Sequence, residues 1–169
     1  LEHRRQRQMC IRDSVLGPRI NAGGRVGKCS HGANLLLNID SKKAFKLAYE
    51  LDVFNKERQI LEKNLLNDVI KSINNLNDPV LILQGNNWHE GIIGIIASRI
   101  KEKYNKPTII ISISKNTGKA SARSITGFDI GSLIIAAVQK GLLIKGGGHK
   151  MAGGFTIDSK KINEFKDFI

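Results

Sequence analysis

Apolar residues recur every three or four positions from Ala44 through Leu47, Ala48, Leu51, Phe54, Leu61, Leu65 and Val69 to Ile73, the period of a helix with one buried face. Asp40 or Ser41 can cap its start. A helix of about thirty residues spans roughly 45 Å, more than a small domain needs internally, so it is expected to bridge two bodies. The cluster Asn74-Asn75-Leu76-Asn77-Asp78-Pro79 ends it, because Pro79 cannot continue a helix. Before this helix, Val15 to Asn38 is punctuated by glycine and then apolar from Ala33 to Leu37, which predicts a structured loop leading into a short helix. Leu1 to Ser14 shows neither periodicity nor an apolar signal-peptide core and is expected to be a non-native leader outside the fold.

After Pro79 the pattern becomes that of an α/β domain. Val80 to Leu83 predicts a short buried strand, Gly91 to Tyr104 a helix, and Thr108 to Ile113 a second strand, whose β-branched run suits a sheet covered on both faces. Lys119 to Ser124 predicts a third strand after a turn at Asn116-Thr117-Gly118. Asp129 can cap a helix running to about Leu143, Phe155 to Ile157 predicts a last strand, and a final helix follows Asp158. That helix meets the chain end at Ile169 without a stop signal, which reads as a truncation. The fold class expected is α/β, a long connecting helix followed by a mixed-sheet domain.

Charge changes the picture more than length does. The net charge of +12 suggests a polyanionic partner, and setting aside the leader's four arginines and two acids still leaves +10. From Lys106 to Lys150 seven basic residues face the single acid Asp129, and Val15 to Ile39 carries Arg19, Arg25 and Lys28 with no acid. Both stretches are rich in glycine, where backbone can approach a phosphate closely. The same charges would also suit a solvated basic surface. No apolar run reaches the roughly 18 residues of a membrane span. Two cysteines, Cys10 and Cys29, without metal-ligand spacing indicate neither a disulfide framework nor a structural metal, and fit a reducing, cytoplasmic setting.

Four local constellations carry candidate chemistry. Gly146-Gly147-Gly148-His149 can turn successive N–H groups toward an anion, with the imidazole as a further donor, although a tight turn would use the same glycines. In Ser121-Ala122-Arg123-Ser124 the alternation of a strand puts Ser121 and Arg123 on one face with Ser124 at the end, within reach of one phosphodiester. An ordinary edge strand would read alike. Trp88-His89-Glu90-Gly91 stands at a strand-to-helix junction, where His89 is a secondary candidate but capping and packing by His89, Glu90 and Trp88 is the preferred reading. Gly23 to Cys29 is not a P-loop, since its spacing is one residue short and Cys29 replaces the metal-binding hydroxyl.

The order of these constellations says more than any one of them. The run Gly17-Pro18-Arg19-Ile20-Asn21-Ala22-Gly23-Gly24-Arg25 comes first, then a helix containing Leu51-Asp52 and Asn55-Lys56-Glu57-Arg58-Gln59. Trp88 to Arg99, Ser121 to Ser124 and Gly146 to His149 follow, and the series resembles the RecJ family of DHH phosphoesterases over Val15 to Ile169. Gly23, Ala120 and Gly153 depart from the residues usual there, without removing a functional group. The resemblance implies that 15–39 closes a catalytic DHH domain, that 40–78 is the connecting helix and linker, and that 79–169 is a DHHA1-type domain.

It further implies a fragment of a single-stranded-DNA-specific 5′→3′ exonuclease of repair and recombination. The whole enzyme would use two Mn²⁺ or Mg²⁺ ions whose Asp and His ligands precede Gly17, so the fragment is expected to be inactive alone. Single-stranded DNA is the implied partner, single-strand-binding protein a second one, and the chain is expected to be a monomer. Phosphates would be held by Arg19, Asn21 and Arg25 from the first motif and by Ser121, Arg123, Ser124, Gly147, Gly148 and His149 from the last two. An oligonucleotide or cyclic-dinucleotide phosphodiesterase of the same superfamily, or a nucleic-acid-binding paralogue without chemistry, stays open as an alternative.

Overall fold

Pro18 sits in the first turn of a helix, where its fixed φ is already helical and its missing N–H leaves no bond unmade. In the computed structural model, which describes residues 9–73 and 75–169, the chain divides into two compact units, Leu1–Leu61 and Glu62–Ile169. The first unit holds a π-helical turn at Arg12–Leu16, then α1 (Gly17–Val26) and α2 (Ser30–Leu37). The glycine-rich segment expected to be a loop is therefore helical. A Cβ at Gly23 would come within 3.1 Å of Leu51 Cδ2, and one at Gly32 within 2.9 Å of Ile20 Cγ2. The glycines thus permit close helix packing, which outweighs their low helix propensity.

Residues 9–14, expected to form no element, are helical as well, but the turn at Arg12–Leu16 buries no side chain. The rest of the expected leader, Leu1–Gln8, lies outside the described residues, as does Asn74 of the exit cluster. The long helix α3 (Ser41–Lys71) has 31 residues, close to the length that the apolar spacing predicts. Asp40 Oδ1 accepts from the N–H groups of Lys42 (2.9 Å) and Lys43 (3.4 Å), satisfying donors that a helix start leaves orphaned. Beyond the helix, Asn75 donates to Asp78 at 2.8 Å and accepts from the N–H of Asn77 at 2.9 Å, a side-chain-knotted loop that leads to Pro79.

The second unit is built on a five-stranded mixed sheet of order β1-β2-β3-β5-β4. Its elements are β1 (Leu81–Asn86), α4 (Glu90–Tyr104), β2 (Thr108–Ser114), β3 (Thr117–Arg123), α5 (Ile130–Gln139), β4 (Lys145–His149) and β5 (Ala152–Asp158), then a 3-10 turn at Ser159–Lys161 and α6 (Ile162–Phe168). β1 and β2 pair in parallel through α4, and the other pairings are antiparallel. The β2–β3 hairpin turns at Lys115-Asn116, with Lys115 at φ 55°, so β3 starts two residues earlier than expected. Asn105 in the left-handed region and Pro107 close α4.

α5 and α6 cover one face of the sheet and α4 the other. Ile109, Ile111, Ala120, Ala122, Phe155 and Ile157 pack with Ile130, Ile134 and Ala137 of α5 and with Ile162 and Phe165 of α6. Phe155 and Phe165 meet edge to face, 5.0 Å between ring centres. The alternate residues of β2 and β3 face α4, whose Ile92, Ile93 and Ile96 are buried. Asp129 caps α5 as expected. Hydrogen bonding from the Ser132 backbone N–H, 3.0 Å away, holds its carboxyl below the usual carboxylate range. The helix stops at Gln139 rather than Leu143, because Gly141 turns the chain at φ 72°.

The segment Gly146-Gly147-Gly148-His149, expected to be an anion-cradling loop, is most of β4, an edge strand paired with β5. Its glycines have a packing reason. A Cβ at Gly146 would lie 2.8 Å from both Ile134 Cγ2 and Phe155 Cβ, and one at Gly153 would lie 2.4 Å from Ile134 Cδ1. A Cβ at Gly147, on the opposite face, meets nothing within 4 Å. The same substitution at adjacent positions should therefore give opposite results. Gly146→Val is expected to cost about 1–3 kcal/mol through overpacking. Gly147→Val should leave thermal stability within about 0.5 kcal/mol of the parent or raise it. Equal losses in melting temperature would refute this account of the close approach of α5.

Candidate nucleic-acid interface

Register, rather than loop geometry, assembles the candidate site. Across β3, β5 and β4 the pairing aligns Lys119 with Thr156 and Lys145, then Ser121 with Gly154 and Gly147, then Arg123 with Ala152 and His149. Residues two apart on a strand share a face, so all three rows lie on the side of the sheet away from α5. The first two rows line an open groove of about 560 Å³ with Glu90 and Ile93 of α4 on its wall, within the size range of ligand clefts. The third row adjoins it along the strands. Ser121, Arg123, Gly147 and His149, predicted from separate motifs, are thereby brought to one surface.

Arg123 Nη1 donates to Ser121 Oγ at 3.2 Å and to the Ala122 carbonyl at 2.8 Å, which fixes the guanidinium plane over its own strand. A Cβ at Gly94 of α4 would lie 3.1 Å from Arg123 Nη2 and from Ser121 Oγ, so this glycine lets the helix rest on the pair. At the end of β4, His149 Nδ1 accepts from the N–H of Met151 at 3.3 Å. A ring whose Nδ1 accepts in this way carries its proton on Nε2, which can donate to an anion.

Ser124 and Gly148 do not join this surface. Ser124 is 1% exposed, and its hydroxyl donates to the Phe128 carbonyl at 2.7 Å, so it ties down the loop before α5 instead of reaching a ligand. Gly148 belongs to the alternate set of β4, where a Cβ would strike Ala152 O at 2.5 Å and Gly153 Cα at 2.6 Å. The tight β4–β5 turn explains that glycine. His89 caps α4, its Nδ1 accepting from the N–H of Gly91 at 3.2 Å, and Trp88 lies on Gly85, where a Cβ would meet its ring at 2.2 Å. His89 and Trp88 thus have the capping and packing roles that the sequence reading preferred.

In the first unit the three residues of the leading motif separate. Arg19 Nε donates to Asp52 Oδ1 at 2.8 Å and its Nη1 to the Val15 carbonyl at 2.9 Å, so it ties α1 to α3. Lys56 and Arg19 together hold the Asp52 carboxyl below its ordinary range. Asn21 and Arg25, one helical turn apart, are on the exposed side of α1.

Sequence reasoning missed Lys119, Thr156, Lys145 and Glu90. Lys119 and Lys145 stand two residues before Ser121 and Gly147, so the strand period that linked Ser121 to Arg123 also reaches them once β4 is known to be a strand. Lys119 Nζ donates to Glu90 Oε2 at 2.6 Å.

Among the described residues no group of three or more His, Cys, Asp and Glu could hold a metal ion. The described residues thus do not fit a two-metal centre of the kind the sequence resemblance implies. No helix among them is long and apolar enough to cross a membrane.

The chain and its fold are similar to known proteins. The single-stranded-DNA-specific exonuclease RecJ of Haemophilus influenzae is 35% identical over 160 residues, which is 89% of this chain and 28% of the relative. That of Bacillus subtilis is 32% identical over 155 residues, 89% of this chain and 20% of the relative. The crystal structure of RecJ in complex with Mg²⁺ from Thermus thermophilus matches with a TM-score of 0.82 at 32% identity, covering 90% of this chain and 24% of that one. A structure of exonuclease RecJ bound to manganese matches with a TM-score of 0.79 at 31% identity, covering 90% and 38%. The chain spans between a fifth and about three tenths of the length of the curated RecJ relatives it matches. Residues 77–169, more than half of the chain and all five strands of the sheet, match the DHHA1 domain, and the chain belongs to that family.

Proposed function

We propose that this chain is the strand-gripping part of a RecJ-type single-stranded-DNA-specific 5′→3′ exonuclease. The observation that carries the reading is the convergence of Ser121, Arg123, Gly147 and His149 on one open face of the sheet. A guanidinium, a hydroxyl, an imidazole N–H and a glycine backbone that leaves room for close approach form a donor set for phosphodiester oxygens. A net charge of +12 favours a polyanion, and an aromatic content of 5% leaves little for base stacking, so grip should depend on backbone phosphates and hardly on sequence. The whole protein would act as a cytoplasmic monomer in repair and recombination, with single-strand-binding protein as a further partner. Its hydrolytic step needs Mg²⁺ or Mn²⁺ held by residues other than the described ones.

Two outcomes follow. The chain should bind single-stranded DNA with an affinity that falls as salt rises, because bound lysines and arginines release condensed counterions. Arg123→Ala is expected to weaken that binding by roughly 1–3 kcal/mol. It should also lower the slope of log affinity against log salt by about 0.7. Lys160→Ala, in the 3-10 turn and outside every row, should change neither. If both substitutions weaken binding alike, the DNA senses diffuse charge and no built site. The second outcome concerns chemistry: purified chain incubated with Mg²⁺ or Mn²⁺ should release no nucleotides from single-stranded DNA, and reproducible metal-dependent release would overturn the assignment of hydrolysis to residues elsewhere.

A further inference from the structure

The groove extends beyond the residues of the recognised motifs. Lys119 and Lys145 stand on either side of Thr156, on strands each about 4.8 Å from β5, so two ammonium groups and a hydroxyl border one short stretch of groove. This row is two residues along the strands from the Ser121–Gly154–Gly147 row, a separation of about 6.7 Å. A strand stacked in a duplex rises about 3.4 Å per nucleotide, and a strand pulled straight roughly doubles that step. The distance between rows therefore matches one stretched nucleotide. Glycine occupies both Gly147 and Gly154, so no side chain from β4 or β5 stands in the second row.

We propose that Lys119, Thr156 and Lys145 form a second phosphate subsite, which takes the phosphodiester next to the one held by Ser121 and Arg123, and that Glu90 restrains it by holding Lys119. This rests on the nucleic-acid reading above. Glu90 is the first residue of α4 and accepts from Lys119 Nζ at 2.6 Å, while Lys145 makes no ion pair among the described residues. A phosphate entering the row competes with the Glu90 carboxylate for the Lys119 ammonium. Lys145 and the Thr156 hydroxyl meet no such competitor. The pair is exposed, 57% and 48%, so exchange of its partner involves no burial of an uncompensated charge.

The test is a mutant cycle on the full chain, read by equilibrium binding of a fluorescently labelled twelve-residue oligothymidylate across a salt series. Lys119→Gln with Lys145→Gln should raise Kd at least about tenfold and lower the salt slope by about 0.7 or more. Glu90→Gln should tighten binding about two- to fivefold when Lys119 is present and leave it unchanged when Lys119 is Gln. Glu102→Gln, the same charge change at the other end of α4, should have no comparable effect. Equal tightening by Glu90→Gln in both backgrounds, or by Glu102→Gln, overturns the proposal in favour of long-range charge. A double lysine variant within twofold of the parent, in a chain that still loses affinity with Arg123→Ala, overturns the subsite and leaves the first reading intact. A parent chain that does not bind the oligonucleotide overturns both.

Discussion

The second unit depends on how closely α4 and α5 can lie against the sheet. On one face, a Cβ at Gly131 of α5 would come within 2.9–3.0 Å of the His149 backbone, and Gly146 and Gly153 leave room for Ile134. On the other, Gly94 lets α4 rest against Ser121 and Arg123. Interiors packed to crystal density do not absorb an extra methyl without moving something. The small residues therefore fix where β4 and β5 lie, and with them the register that aligns three strands into rows. Gly147 and Gly154, at alternate positions of the same two strands, leave the middle row of the opposite face without a side chain from β4 or β5. Close packing on one face and access on the other thus draw on alternate glycines of the same two strands.

Electrostatics then decides what that surface suits. The rows offer Lys119, Lys145, Arg123 and His149, with Glu90 as the acid on the groove wall. Arginine and lysine differ in what they contribute. The Arg123 plane is oriented by its bonds to Ser121 and to the backbone, whereas the lysines act as mobile point charges. An oriented anchor beside flexible charges grips a backbone while tolerating any base. Two other ion pairs serve other ends. Arg19 with Asp52 ties helices of the first unit together, and Arg99 with the buried Glu62 joins α4 to the last turns of α3 within the second unit.

Much of this was legible in the sequence because its signals are periodic. The apolar spacing from Ala44 to Ile73 and the cap at Asp40 give α3, and the β-branched run of Thr108–Ile113 gives a strand covered on both faces. Asp129 marks the start of α5 for the same capping reason. Glycine was where local reading failed. At Gly17–Val26 and Gly146–Gly148 it suggested loops, yet both segments are regular, and Gly23, Gly146 and Gly148 sit where the backbone approaches neighbouring elements closely, which no local pattern encodes. Ser124 was misjudged because a single position at a strand end does not reveal whether its hydroxyl turns inward. The Ser121–Arg123 pairing was readable from the two-residue period. The rows including Lys119 and Lys145 needed the strand order β3-β5-β4, which is not a local property of the chain.

Backbone amide chemical-shift mapping tests the account most directly. An isotope-labelled sample of the chain titrated with oligothymidylate should show its largest shifts in Lys119–Arg123, Lys145–His149, Ala152–Thr156 and the first turn of α4, where glycine amides report the strands well. The amides of α5, Ile130–Gln139, on the far side of the sheet should move little. Shifts concentrated on α5, or scattered among the exposed lysines of α3 without preference for the three strands, would contradict the claim that strand register builds the binding surface.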